Sequence, residues 1–278
     1  MDSLLLRCPA KVNLYLKVVG RRSDGYHDLI TVMQALSLAD ELTITLDGAA
    51  VALACDRPDL PLDEGNLAVR AAKAFQEALG RRFGVRLRLL KRIPVAAGLG
   101  GGSSDAAGVL RGLNCLLGTP LSPGQLTAVA RQLGADVPFF LLDGPALGRG
   151  IGDLLTPITL PPLWYVLLNP GFAVSTAAVY AGLQPPFAAP PPTQVAAMLQ
   201  TPPATWLHND LEAVTLRLHP ELTTYKEALR RLGAQGVLMS GSGPTVFGIF
   251  ADELRAVQAA SRLQADTGLW TAAVRGLP

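Results

Sequence analysis

Residues 94–104 run Pro94-Val95-Ala96-Ala97-Gly98-Leu99-Gly100-Gly101-Gly102-Ser103-Ser104, and a helical pattern begins directly behind them. No other stretch of the chain narrows the fold so far. Four of the five residues from 98 to 102 are glycine, so backbone amides there can approach a partner with no side chain in the way. The first turn of the following helix adds N–H groups that lack acceptors and the positive end of the helix dipole, which makes phosphate the natural occupant. Ser103 and Ser104 supply hydroxyls for that anion or for its magnesium. The competing reading is a tight turn or a flexible linker; the flanking Pro94, the serine pair and the strong helix behind favour the anion loop. Two other phosphate motifs fail on spacing. A Walker A loop ends in Gly-Lys-Ser/Thr, and no lysine follows these glycines; a dinucleotide G-x-G-x-x-G pattern meets Ser103 when read from Gly98 and Asp105 when read from Gly100.

Composition makes any such site a local one. Lys and Arg number 24 against 22 Asp and Glu, so there is no general electrostatic footprint for nucleic acid. With 49% hydrophobic and 17% charged residues in 278, the chain opposes long disorder and can bury one large core or two ordinary ones without disulfides or structural metal. Cys8, Cys55 and Cys115 are odd in number and far apart, which fits free thiols in a reducing compartment. No apolar run reaches the ~18 residues of a membrane span, and Leu4-Leu5-Leu6 is broken by Arg7 and Pro9. The expected location is the cytoplasm, with neither membrane nor nucleic acid as a partner.

Along the chain, Val12, Leu14, Leu16 and Val18 alternate with Lys11, Asn13, Tyr15 and Lys17, a strand with one polar face on which Lys11 and Asn13 point the same way. After a tight-turn signal at Asp24-Gly25, residues 29–36 and 42–46 read as further strands, and Asp47-Gly48 turns into another at 51–55, a strand-rich beginning expected to be antiparallel. Asn66 caps a helix that ends at Gly80, and residues 85–89 return to strand alternation. Ser122-Pro123 opens a helix that stops at Gly134. Residues 144–162 hold little periodic signal but several glycines and prolines, which marks a domain junction near 156. Trp164–Leu168 reads as a buried strand, Ser175 as the cap of a short helix, and 185–203, rich in proline, as an irregular surface loop. Helical patterns cover 207–218, 221–232 and 252–264, and between the last two, apolar strands flank the small-residue turn Ser240-Gly241-Ser242-Gly243-Pro244. Helices mixed with strands in both halves, without strict alternation, argue for an α+β protein of two domains, 1–156 and 157–278.

Three segments together, Pro9-Ala10-Lys11-Val12-Asn13-Leu14, the loop from Pro94 to Ser104, and Ser240-Gly241-Ser242-Gly243-Pro244, resemble the three motifs of the GHMP kinases. The likeness runs from about residue 7 to about 250 and extends to Asp24-Gly25-Tyr26-His27, Leu133-Gly134-Ala135-Asp136-Val137-Pro138 and Asn209-Asp210-Leu211-Glu212. It implies a two-domain GHMP kinase fold, with a ribosomal-protein-like α+β N-terminal domain and an α/β-plait-like C-terminal domain. It also implies that ATP, its phosphates wrapped by Pro94, Val95, Ala96, Ala97, Gly98, Leu99, Gly100, Gly101, Gly102, Ser103 and Ser104, meets a small-molecule acceptor in the cleft between domains.

By the same resemblance, Asp136 is the general base that takes the proton of the acceptor hydroxyl, and Lys11 orients it and stabilises developing charge. Pattern alone would make Lys11 a solvated lysine and Asp136 a turn aspartate. The acceptor implied carries a cytosine, a diphosphate and a branched polyol. Tyr26 and Tyr180 would sandwich the base, His27 would bond its edge, and Asn13 and Thr176 would contact the polyol. Asn66 resembles an adenine-side residue, although a helix cap explains it as well. His208 and His219 read as structural. ATP with Mg2+ is the expected cofactor, but no glutamate can be assigned to hold the metal, and the oligomeric state is left open.

Overall fold

The computed structural model describes residues 3–278, apart from the side chain of Pro192. Two very long strands, β1 (Ser3–Arg21) and β2 (His27–Thr45), open the chain. The two stretches 29–36 and 42–46 thus belong to one strand, because Ser37 to Glu41 contain neither glycine nor proline to break extension. Next come β3 (Val51–Cys55), α1 (Leu67–Leu79), β4 (Val85–Leu90), α2 (Gly101–Leu116) and α3 (Pro123–Leu133). The short hairpin β5 (Ala146–Arg149) and β6 (Leu154–Pro157) precedes β7 (Trp164–Asn169), α4 (Thr176–Ala181) and α5 (Pro192–Met198). The remainder is β8 (His208–Asn209), α6 (Glu212–Leu218), α7 (Glu221–Arg231), β9 (Gly236–Met239), β10 (Val246–Phe250), α8 (Glu253–Thr267) and β11 (Trp270–Arg275).

The chain forms two compact units that interleave in sequence. One contains the residues up to Ala10, Leu38–Ile93 and Gly100–Asp143; the other contains Lys11–Ser37, Pro94–Leu99 and Gly144–Pro278. A single cut near 156 therefore does not describe the compact units, since β1 and β2 are each long enough to contribute to both.

In the first unit β4 pairs antiparallel with the C-terminal part of β2, and β3 pairs parallel with β4. The turn at Asp47-Gly48 therefore closes no hairpin, contrary to the antiparallel expectation: β4 lies between β2 and β3. The apolar stripe of α1, with Ala68, Val69, Ala71, Ala72 and Phe75 buried, packs on α2, which buries Ala106, Ala107, Val109, Leu110 and Leu113. Small residues let α2 approach closely. A Cβ at Gly108 would stand 2.5 Å from the Sγ of Cys8 on β1.

In the second unit β11, β7, β10 and β9 form an antiparallel sheet in that order. Its core joins Val166, Leu168, Val246 and Phe250 to Leu222 and Leu229 of α7 and Ala256, Ala259 and Leu263 of α8. Leu167, Tyr165, Phe247 and Ile249, on the alternate positions, are buried too, which is why these strands read as continuous apolar runs. Residues 144–162 and 185–203 are more regular than their sequences suggest: the first holds the β5–β6 hairpin and the second α5.

Candidate active site

Three sequence motifs meet in the second unit. Period-two geometry puts Lys11 and Asn13 on one face of β1, and the turn between β9 and β10 comes against that face and against residues 97–99. The Ser240 hydroxyl donates to the Gly98 carbonyl (2.9 Å) and accepts from the Asn13 N–H (3.3 Å). The Lys11 N–H donates to the Leu99 carbonyl (2.9 Å), and the Thr245 N–H reaches the Ala97 carbonyl (3.4 Å). Gly98 has φ of +75°, and a Cβ there would fall 2.2 Å from the Ser240 carbonyl oxygen, so only glycine fits.

Within this junction Lys11 is 3% exposed, not a solvated lysine. Its ammonium donates to Asn13 Oδ1 (2.6 Å), and Asn13 Nδ2 in turn donates to Thr31 Oγ1 (2.9 Å), whose hydroxyl bonds the Tyr15 carbonyl (2.8 Å). The chain of donors fixes which way the Asn13 amide faces. An ammonium held in so dry a place attracts negative charge far more strongly than one in water.

The Asn209–Glu212 segment holds the turn in place. Asn209 Nδ2 donates to the carbonyls of Met239 (2.9 Å) and Gly241 (2.7 Å), and Glu212 accepts from the Met239 N–H (2.9 Å) while paired with Lys226 (2.5 Å). Thr215 donates to the Ser242 carbonyl (3.1 Å), and the Thr176 and Ser242 hydroxyls bond each other at 2.8 Å. Thr176 is thereby attached to the same turn. Asp210, between Asn209 and Glu212, bonds Lys17, the Val18 N–H and His208. His219 stacks on Phe172 at 4.6 Å.

An aromatic cluster lies elsewhere in the second unit. The His27 ring sits 5.2 Å from Tyr180, tilted by 31°, and Phe187 meets it edge-on at 5.8 Å. Burial, helped by the charge of Arg21, lowers the His27 pKa and favours the neutral imidazole. Tyr26 is 60% exposed, beside a turn in which Asp24 accepts the Tyr26 N–H. Sequence reasoning missed Phe187, which follows Pro185-Pro186 in a stretch with no periodicity.

The first unit carries the second half of the glycine loop. Gly100 (φ +71°) is the N-cap of α2 and offers no side-chain cap, so amides in the first turn lack intrahelical acceptors. The Ser104 hydroxyl is buried and has no partner among the described residues. Asn66 does cap α1, accepting the Ala68 N–H at 3.0 Å. Asp136 is half-buried in the turn between α3 and a 3-10 turn at Pro138–Leu141. Among the described residues no group of three or more His, Cys, Asp or Glu side chains could hold a metal ion, and no helix is long and apolar enough to cross a membrane.

The glycine loop thus heads α2, and residues 97–99 are bonded to β1 and to the turn between β9 and β10. The sequence model of the GHMP kinases N terminal domain matches residues 66–144, and that of the GHMP kinases C terminal domain matches residues 199–267. The chain belongs to the GHMP kinase family. It is 48% identical over 282 aligned positions to the 4-diphosphocytidyl-2-C-methyl-D-erythritol kinase of Syntrophotalea carbinolica, covering 98% of this chain and 97% of that protein. The kinase of the same name from Geobacter metallireducens is 47% identical, with both chains fully covered. A crystal structure of 4-(cytidine 5'-diphospho)-2C-methyl-D-erythritol kinase superposes with a TM-score of 0.85 at 42% identity, covering 99% of this chain and all of that one.

Proposed function

We propose that this chain transfers the γ-phosphoryl group of ATP to the 2-hydroxyl of 4-diphosphocytidyl-2-C-methyl-D-erythritol, a cytoplasmic step of non-mevalonate isoprenoid synthesis. The observation that carries the reading is the junction of the three motifs: Lys11 and Asn13, the glycine loop at 97–99, and the Ser240 turn are joined by direct hydrogen bonds. Relatives at 46–48% identity bearing that kinase name supply the substrate.

Phosphoryl transfer asks the protein mainly to hold donor and acceptor in line and to neutralise charge. The amides of Gly98 to Gly102 and the Ser103 and Ser104 hydroxyls hold the ATP phosphates. One local feature fits such a ligand: the buried Ser104 hydroxyl has no partner among the described residues. Asn66 lies on the adenine side. Ser103 and Ser104 are the hydroxyls that would hold magnesium, which would supply charge withdrawal from the phosphates when bound with ATP.

Asp136 accepts the proton of the acceptor hydroxyl as the new O–P bond forms and the bond from the γ-phosphorus to the bridging oxygen breaks, releasing ADP. Lys11 stabilises negative charge on the attacking oxygen, and Asn13 and Thr176 bond the polyol. Tyr26, His27 and Tyr180, with Phe187 behind His27, hold the cytosine. In this reading residues 1–156 carry the nucleotide loop and base, and 157–278 the third motif and Tyr180.

Asp136→Asn and Lys11→Ala test the assignment. Each lowers kcat by about a thousandfold while ATP affinity, measured by titration calorimetry, stays within about threefold. Near-normal turnover in either variant refutes the role given to that residue.

A further inference from the structure

A run of glycines is costly to order, because glycine loses more backbone freedom than any other residue. In the first unit both ends of the loop 94–104 are tied to one buried ion cluster. At the entrance, Asp40 of β2 accepts the N–H groups of Arg92 (2.5 Å) and Ile93 (2.9 Å), immediately before Pro94. At the exit, Asp105, immediately after Ser104, accepts from Lys91 Nζ at 2.7 Å, and the same ammonium donates to Asp40. The Lys91, Asp40 and Asp105 side chains are 5%, 0% and 4% exposed. Gly101, the first residue of α2, sits so near that a Cβ there would be 3.3 Å from Lys91 Nζ and 3.1 Å from Ile93 Cγ2.

Stability is a poor reason for this arrangement. Buried ion clusters return little net stabilisation once desolvation is counted, and an ammonium beneath the start of a helix opposes the helix dipole. What the cluster does is link two chain positions that flank the loop through a single side chain. We propose that Lys91, bridging Asp40 and Asp105, is a positioning residue that sets the separation of the loop ends and thereby the affinity for the ATP phosphates. The inference rests on the reading of the loop as the ATP site.

The test compares Lys91→Met, Asp105→Leu and Asp105→Asn in the full-length protein. Lys91→Met and Asp105→Leu break the bridge; both raise the Kd for ATP, measured by calorimetry, and the KM for ATP by about tenfold or more, with the KM for the cytidyl acceptor within about twofold. Asp105→Asn keeps an oxygen for the ammonium and restores ATP affinity to within about threefold of the parent. The proposal is overturned if the two bridge-breaking variants fold and bind ATP normally, if neither folds, or if Asp105→Asn binds as poorly as Asp105→Leu. Hydrogen exchange on the parent protein separates the two readings. If ATP gives no protection to amides 98–104, the ATP assignment of the loop fails; protection together with normal ATP binding by the bridge-breaking variants removes only the role of Lys91.

Discussion

Lys11 illustrates how little of a residue's environment a local pattern contains. Its period of two with Asn13 reads correctly as a shared polar face, and that face is buried because the turn that covers it, at Ser240, lies 227 residues away from Asn13. The motif Pro9 to Leu14 singled out the residue; only the tertiary fold makes its ammonium a buried charge. Tyr180 is similar. An aromatic in an apolar stretch reads as core, and Tyr180 does pack, partly buried, against the core of the second unit; its ring also meets His27, with Phe187 on another side of the imidazole. Removing an aromatic that stacks on a base costs about 1–3 kcal/mol, so Tyr180→Ala raises the KM for the cytidyl acceptor by about tenfold and leaves the KM for ATP within about twofold. Steady-state kinetics with each substrate varied separately checks this; an unchanged acceptor KM removes Tyr180 from the base site.

Elements with strong periodicity and marked ends were legible. The helix behind the glycines is α2, Asn66 and Gly80 bound α1, and the Ser122 capping box with Pro123 opens α3. The β5 and β6 strands were not, since each has only four residues and their turn contains Gly150 and Gly152. β11 was missed too, because Thr271, Ala272 and Ala273 are too small to give an alternating signal. Nor did the sequence mark the joint of Asp40 in β2, Lys91 just after β4 and Asp105 in α2, which needs three parts of the chain at once. There burial, opposed by the Lys91 ammonium and reinforced by Asp40, pushes the Asp105 carboxyl from its ordinary 3.8 up to about 7. A raised carboxyl pKa favours the protonated form in the folded state, so the stability it contributes is complete below about pH 4 and is lost as pH rises towards 7. Thermal melts of the parent and Asp105→Asn between pH 4 and 8 check this: the parent's Tm falls relative to the variant's as pH rises, and parallel curves contradict the shift.

The two compact units are interleaved because strands of 19 residues serve both, a feature that no linker composition could have announced. The two family models match residues 66–144 and 199–267, neither of which follows the bounds of a compact unit. The near balance of 24 basic and 22 acidic residues is consistent with anionic ligands held by amides and a few placed cations rather than by a charged face. What decides the account is the chemistry. Purified protein given ATP and magnesium, with 4-diphosphocytidyl-2-C-methyl-D-erythritol, homoserine, mevalonate or no acceptor, is assayed for ADP release. The cytidyl acceptor gives a kcat/KM at least about a hundredfold above the others, because they leave the base-binding groups unpaired. Equal or faster turnover with homoserine or mevalonate, or ADP release that the cytidyl compound does not increase, contradicts it.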